Sequence, residues 1–203
     1  MSKGFKEKSR YWIDYPEVHS HARSLFDSMQ QKISGGAILI AVGRGGWIPT
    51  RLVGASFEEA DIPFVSFSIS AAYRDLGSPN EYVDIVQGLD DKSVDAIKHL
   101  LNKGLSLWVI DGPYHTGRAV AAVQEYLTTK LKNMDLDLDP KIHIGVLEWM
   151  SYAPPKDCPW RLASVVKPDG FGVRIDFDEK PYVGYPWEYS KISEFRKNNG
   201  VSL

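Results

Sequence analysis

Apolar positions along this chain fall into two alternating rhythms. Val18, Ala22, Leu25, Phe26 and Met29 recur at helical spacing. Ahead of them, Asp14-Tyr-Pro-Glu17 has the form of a capping box with Asp14 as N-cap. A helix is therefore predicted over 14–31, broken by Gly35-Gly36. Ala37-Ile-Leu-Ile-Ala-Val42 is apolar throughout, as in a strand buried on both faces. Gly43-Arg-Gly-Gly46 reads as a loop, with a helix over 49–60 behind it. Residues 64–69 alternate well enough for the next strand. Residues 71–90 carry Gly77, Ser78, Pro79, Asn80 and Gly88 and read as a long mobile loop or an irregular hairpin; a segment of that length inside a domain is often functional. An amphipathic helix over 91–103, a strand over 105–111, a helix over 118–132 and a strand over 142–147 follow. After these come a proline-rich segment over 153–159, strand-like runs over 162–166 and 171–177, and the aromatic stretch Tyr182-Val-Gly-Tyr-Pro-Trp187.

Strands alternating with helices predict an α/β fold with a parallel sheet covered on both faces. A small C-terminal β-rich hood or tail completes it. The expected organisation is one domain over 1–203: an N-terminal helix at 14–31, a core at 36–149 and a tail at 150–190.

Composition mainly excludes. A net charge of −2 gives no reason to expect nucleic acid or an anionic membrane surface as partner. No run reaches the roughly 18 apolar residues of a membrane span, and the first ten residues carry no apolar signal core. A cytoplasmic protein is the expectation. Cys158 is the single cysteine, so no internal disulfide can form. Asp135-Leu-Asp-Leu-Asp-Pro140 has three acids but lacks the glycine and distant glutamate of a calcium loop, and reads as a solvated connector.

Chemistry concentrates in two segments that follow strands. Leu107-Trp-Val-Ile-Asp-Gly-Pro-Tyr-His-Thr-Gly-Arg-Ala-Val120 puts Asp111 at the carboxyl end of a strand, where such sheets bind ligands. Thr116-Gly117 opens the next helix and offers free amides and the positive dipole end to an anion, most often phosphate. Asp111 beside it suits sugar hydroxyls or a metal. In the other segment Arg44 stands between glycines, which suits bidentate phosphate binding with close backbone approach, or else a tight turn with a solvated arginine. Neither segment has the Walker or dinucleotide-fold spacing.

These residues resemble a family. Ile40-Ala-Val-Gly-Arg-Gly-Gly-Trp-Ile-Pro49 resembles the pyrophosphate loop of type I phosphoribosyltransferases, usually apolar-Ser-Arg-Gly-Gly. Val109-Ile-Asp-Gly-Pro-Tyr-His-Thr-Gly-Arg118 resembles their phosphoribosyl-pyrophosphate signature, usually apolar-Asp-Asp-x-x-Asp-Thr-Gly. His21-Ala-Arg23, Ser70-Ala-Ala-Tyr73 and Tyr182-Val-Gly-Tyr-Pro-Trp187 look like the bacterial xanthine-guanine and hypoxanthine enzymes, so the resemblance covers residues 14–189.

The resemblance implies that Arg44 and Gly45 hold pyrophosphate, through a peptide that is often cis in the family. It implies that His115, Thr116, Gly117, Arg118 and Ala119 line a 5′-phosphate loop. Asp111 would bind the ribose hydroxyls and weakly assist a metal, and Tyr73 with the segment after it would close over the reacting centre. Tyr182 would stack on a purine while Val183 offers backbone groups to its edge. Mg²⁺ would be bound mainly through the substrate diphosphate. The family's second acid is Gly112 here, its third acid and general base is His115, its closing threonine is Ala119, and Arg118 is an added cation. Neutral His115 suits a base at cytosolic pH. Where relatives use a lysine to read a purine oxo group stands Leu147-Glu-Trp149, with Lys156 and Lys167 further off; Glu148 would favour a base presenting N–H donors.

The implied activity is that of a glycosyltransferase of purine salvage: phosphoribosyl transfer from phosphoribosyl pyrophosphate to a purine-like nucleobase, with release of pyrophosphate. Two alternatives stay open: a catalytically reduced, nucleotide-binding regulatory protein, prompted by Gly112 and His115, and a phosphoribosyl enzyme using another acceptor or running in reverse. A homodimer or homotetramer is expected, with Trp47 either at the contact or in the core.

Overall fold

The computed structural model describes residues 10–74, 82–114, 116–132, 141–152, 167–177 and 182–185. In chain order the elements are β1 (Arg10–Trp12), α1 (Tyr15–Gln30), β2 (Ala37–Val42), α2 (Gly43–Glu59), β3 (Phe64–Arg74), β4 (Tyr82–Gln87), α3 (Asp91–Asn102), β5 (Ser106–Tyr114), α4 (Arg118–Lys132), β6 (Ile142–Tyr152), β7 (Gly170–Phe177) and β8 (Tyr182–Gly184). Six strands form one sheet in the order β4-β3-β2-β5-β6-β7. All its pairings are parallel except β3 with β4.

Alternation along the strands sends side chains to two cores. Leu39, Trp108, Ile110 and Leu147 meet α1 and α2, chiefly Leu25, Phe26, Met29, Val53 and Phe57. Ile38, Ile40, Val109, Ile144 and Val146 meet α3 and α4 through Val94, Ile97, Val123 and Leu127. Each such side chain contributes about 1.5–3 kcal/mol on burial, so both faces must be covered. The chain runs from β2 outward to β3 and β4, then crosses back to β5 on the other flank of β2. Right-handed crossovers taken in opposite directions put α2 on one face and α3 and α4 on the other. The reversal makes the carboxyl ends of β2 and β5 a topological switch point, the place where such sheets open a crevice.

The predicted capping box is formed. Glu17 N–H donates to Asp14 Oδ1 at 2.8 Å and Asp14 N–H to Glu17 Oε2 at 3.0 Å. α1 lies close to β6 and β7 because glycines face it: a Cβ at Gly172 would overlap the His21 carbonyl and come within 2.7 Å of that of Leu147, while Gly145 and Gly170 admit Leu25.

The structure departs from the expected pattern in several places. α2 begins at Gly43, so the expected glycine loop is the first turn of a helix and Pro49 lies inside it. β5 runs on to Tyr114 and β6 to Tyr152, because each extends along a partner strand past the apolar run. Within 71–90 the described flanks pair as in the irregular hairpin, β3 antiparallel to β4 with a register shift at Ser70/Ala71, and residues 75–81 lie outside the described residues. The run at 171–177 joins the main sheet as its edge, and the small second sheet is β8 paired in parallel with β1. The connector at 135–140, the segments 153–159 and 162–166, Lys156, Cys158 and Trp187 lie outside the described residues. Among the described residues no helix is long and apolar enough to cross a membrane.

Candidate functional site

The two segments singled out by their glycines meet at the switch point. Gly43 leaves β2 with φ +53, in the left-handed region that favours glycine, and turns the chain straight into α2. The next two glycines let that first turn sit on the end of β5. A Cβ at Gly45 would be 3.3 Å from Asp111 Oδ1, and one at Gly46 would overlap the Ile110 carbonyl. The backbone of Arg44 thus stands in a helical first turn directly above Asp111. Pro49 lacks the amide that would bond the Gly45 carbonyl within the helix; that oxygen lies 3.3 Å from where a Gly112 Cβ would be. No peptide bond among the described residues is cis, so the cis peptide expected by resemblance is not found there.

Asp111 caps the apolar part of β5, and Gly112 N–H donates to its Oδ1 at 2.8 Å. Its carboxyl is pushed up to about 7. Desolvation is the largest cause, the Gly112 amide opposes it, and the Glu148 carboxylate raises it further. Tyr114, at the end of β5, is pushed up to about 12 by desolvation and by Asp111. Its hydroxyl lies where a Gly117 Cβ would be, and Gly117 itself has φ +71, so only glycine fits the turn. α4 starts from that turn, with Ala121 N–H bonded to the Gly117 carbonyl at 2.8 Å. The first amides of α4 open at Thr116 and Gly117, the arrangement of an anion site. Arg118 lies 5.1 Å over the Tyr73 ring, a cation–π contact joining α4 to the β3–β4 hairpin. Ala119 packs on the α3–α4 core. His115 lies outside the described residues.

On the other side of Asp111 is a buried polar chain. Glu148 on β6 is 0% exposed. His21 Nδ1–H on α1 donates to its Oε1 at 2.8 Å, and the Tyr185 hydroxyl donates to its Oε2. Both carboxylate oxygens are therefore engaged from within the protein, and neither is presented to a base as a free acceptor. The Tyr185 hydroxyl is also 3.0 Å from where a Gly112 Cβ would be. The sequence draws notice to His21 and to the Tyr182–Trp187 stretch, but not to the closure of Tyr185 on Glu148. Tyr182 and Val183 are placed by their backbone in β8, opposite Arg10 and Tyr11 of β1. Lys167 approaches the Trp149 ring at 6.0 Å, which puts it beside β6 rather than at Asp111. Trp47 is 67% exposed, which removes the reading of it as a core residue.

Among the described residues no group of three or more His, Cys, Asp or Glu side chains could hold a metal. Asp111 alone, half-protonated near pH 7, does not make the oxygen cage a resident magnesium needs.

No protein-family model matches the chain, and no curated protein does. Solved structures do. A hypothetical protein from Neisseria gonorrhoeae with bound ppGpp is 22% identical, covers 97% of this chain and 99% of its own, and superposes with a TM-score of 0.62. The xanthine-guanine-hypoxanthine phosphoribosyltransferase of Helicobacter pylori is 16% identical over 93% and 99%, with a TM-score of 0.57. A purine phosphoribosyltransferase from Pyrococcus horikoshii is 20% identical over 88% and 94%, with a TM-score of 0.54. With a glycine turn seated on a strand-end aspartate at the switch point, these likenesses give the chain the type I phosphoribosyltransferase fold.

Proposed function

We propose that this chain transfers the 5-phosphoribosyl group of phosphoribosyl pyrophosphate to a purine-like nucleobase. A base nitrogen attacks C1 of the ribose, the C1–O bond to pyrophosphate breaks, and the base loses its N–H proton. The observation that carries the reading is the seating of Gly45 on Asp111 across the switch point, with the Thr116-Gly117 turn of α4 at the end of the same strand. In this reading Arg44 and the amide of Gly45 take the pyrophosphate, arriving with its Mg²⁺. The amides at Thr116, Gly117, Arg118 and Ala119 take the 5′-phosphate. Asp111 accepts from the ribose hydroxyls, and ionised it does so more strongly. The hairpin that carries Tyr73 excludes water, and His115 accepts the proton. Tyr182 and Val183 bind the base from β8. Catalysis then consists mostly of positioning and of neutralising the departing diphosphate. The exposed Trp47, next to the pyrophosphate turn, is assigned to a contact between two or four copies, which sedimentation would test.

The experiment is pyrophosphate release from donor, Mg²⁺ and a panel of nucleobases. Release with at least one purine is expected; no release with any base, with donor bound, refutes transfer. A second reading is favoured by Gly112, which removes an acid that relatives carry, and by the Neisseria neighbour with ppGpp. In it the crevice holds a phosphorylated nucleotide without turnover. Titration with ppGpp separates the two, since tight binding without pyrophosphate release supports the second alone.

A further inference from the structure

The proposed function uses Tyr182 and Val183 but leaves unexplained what holds β8 beside the sugar acid. β8 is three residues long and, among the described residues, pairs only with β1 in a sheet of its own, separate from the main sheet. A two-stranded ribbon is marginal by itself. The residue after it, Tyr185, is buried at 3% exposure, and its hydroxyl donates to Glu148. Glu148 is completely buried and belongs to β6, next to β5. Its other oxygen takes His21 Nδ1–H from α1. Gly172 lets the α1 backbone at His21 come down onto β6 and β7 and brings that ring within reach. Gly112 leaves the space beside the Tyr185 hydroxyl. Residues from α1, β5, β6, β7 and the end of β8 thus serve one contact.

We propose that Tyr185 is a positioning residue. Clamped through Glu148 to His21, it fixes β8 against the strand that carries Asp111, so that base binding depends on a buried chain none of whose members needs to touch the base. The role in base binding rests on the phosphoribosyl-transfer reading; the clamp itself does not. The clamp also gives a reason for the missing second acid, since a Cβ at position 112 would already press on the hydroxyl that holds β8 and a carboxylate there would crowd it further. A carboxylate buried this completely is tolerable only while both its oxygens are bonded, so removing one donor loosens the chain rather than leaving the carboxylate in place.

The test separates the clamp from the reaction. Hydrogen exchange is measured on the full chain for the wild type, Tyr185→Phe, Gly112→Ala and the surface control Arg51→Ala, whose partner Glu58 is likewise exposed on α2. Tyr185→Phe is expected to speed exchange at residues 182–184 by about tenfold or more, with the β2 and β5 amides unchanged and Arg51→Ala like wild type; Gly112→Ala, whose Cβ would crowd the Tyr185 hydroxyl, is expected to speed it at 182–184 by a smaller factor. Alongside it, the KM for guanine and the Kd for phosphoribosyl pyrophosphate with Mg²⁺ are measured. The base KM is expected to rise about tenfold in Tyr185→Phe with the donor Kd within about twofold. Unchanged exchange at 182–184 overturns the clamp. Faster exchange with base and donor weakened equally overturns its role in base binding. A wild type that binds donor yet releases no pyrophosphate with any base counts against the transfer reading, and the exchange result still decides the clamp.

Discussion

Asp111→Asn isolates the electrostatic cost of the site. In the folded chain the Asp111 carboxyl is pushed up to about 7 from its ordinary 3.8. Each tenfold change in a proton equilibrium is worth about 1.4 kcal/mol, so holding this group ionised costs on the order of 4 kcal/mol. Solvent reaching the partly exposed residue trims that to roughly 2–4 kcal/mol. Asparagine has nearly the same shape and its Oδ1 can still accept from the Gly112 amide. The sign follows from linkage. Below pH 3.8 both folded and unfolded chains carry the proton and the substitution gains nothing. Between 3.8 and about 7 the unfolded aspartate ionises while the folded one stays neutral, and the wild type falls behind. Above that range the full penalty stands. Urea unfolding followed by tryptophan fluorescence, without ligand, should show the Asp111→Asn variant gaining on the wild type steadily between about pH 5 and 7 and levelling at about 2–4 kcal/mol by about pH 8, while donor affinity falls. Wild-type donor affinity should itself rise as pH passes through about 7, because the ionised carboxylate grips the hydroxyls. A stability difference equal at the two ends of that range, or a variant less stable than wild type at its upper end, would refute the argument that desolvation strains this carboxylate.

Gly46→Ala should cost about 1–3 kcal/mol in denaturant unfolding and most of the donor binding by calorimetry, because the added Cβ overlaps the Ile110 carbonyl; an unaffected donor affinity would show that the turn need not sit on β5. Gly172→Ala should cost at least as much, because two backbone carbonyls rather than one are in the way, and thermal unfolding would read it. Asp14→Ala removes one half of the capping box and should cost about 1 kcal/mol with no change in ligand binding. Gly112→Asp, which introduces the second acid of the signature the segment resembles, should lower stability by about 1–3 kcal/mol, and Tyr185→Phe in the same chain should return part of that loss; additive losses in the double-mutant cycle would sink the steric account.

Legibility in the sequence followed the range of the forces. The capping box at Asp14 and Glu17, the α1 stripe, the start of α3 after Asp90 and the bounds of α4 rest on residues within a turn or two of one another, and they could be read from spacing. The ends of β5 and β6 could not. Gly112-Pro-Tyr114 and Trp149–Tyr152 have no strand periodicity of their own and are extended because neighbouring strands pair with them. The first turn of α2 was hidden for a similar reason. Three glycines in four residues argue for a loop on propensity, but here the missing side chains are what allow a helix to pack on Ile110 and Asp111.

The site divides along the same line. Asp111 and the Thr116-Gly117 turn were visible because strand end and helix start are adjacent in sequence. Taken by its position alone, Glu148 reads as an acid facing the base. In the fold its oxygens are shared between a residue near the N-terminus and one near the C-terminus, a relation no local pattern encodes. The same holds for Gly112. Taken singly it is a lost acid and an argument against turnover; taken with Tyr185 it is the space that a buried hydroxyl needs. A departure from a signature therefore bears on function only after the residue that fills the vacated space has been found, and here that residue holds the strand assigned to the base.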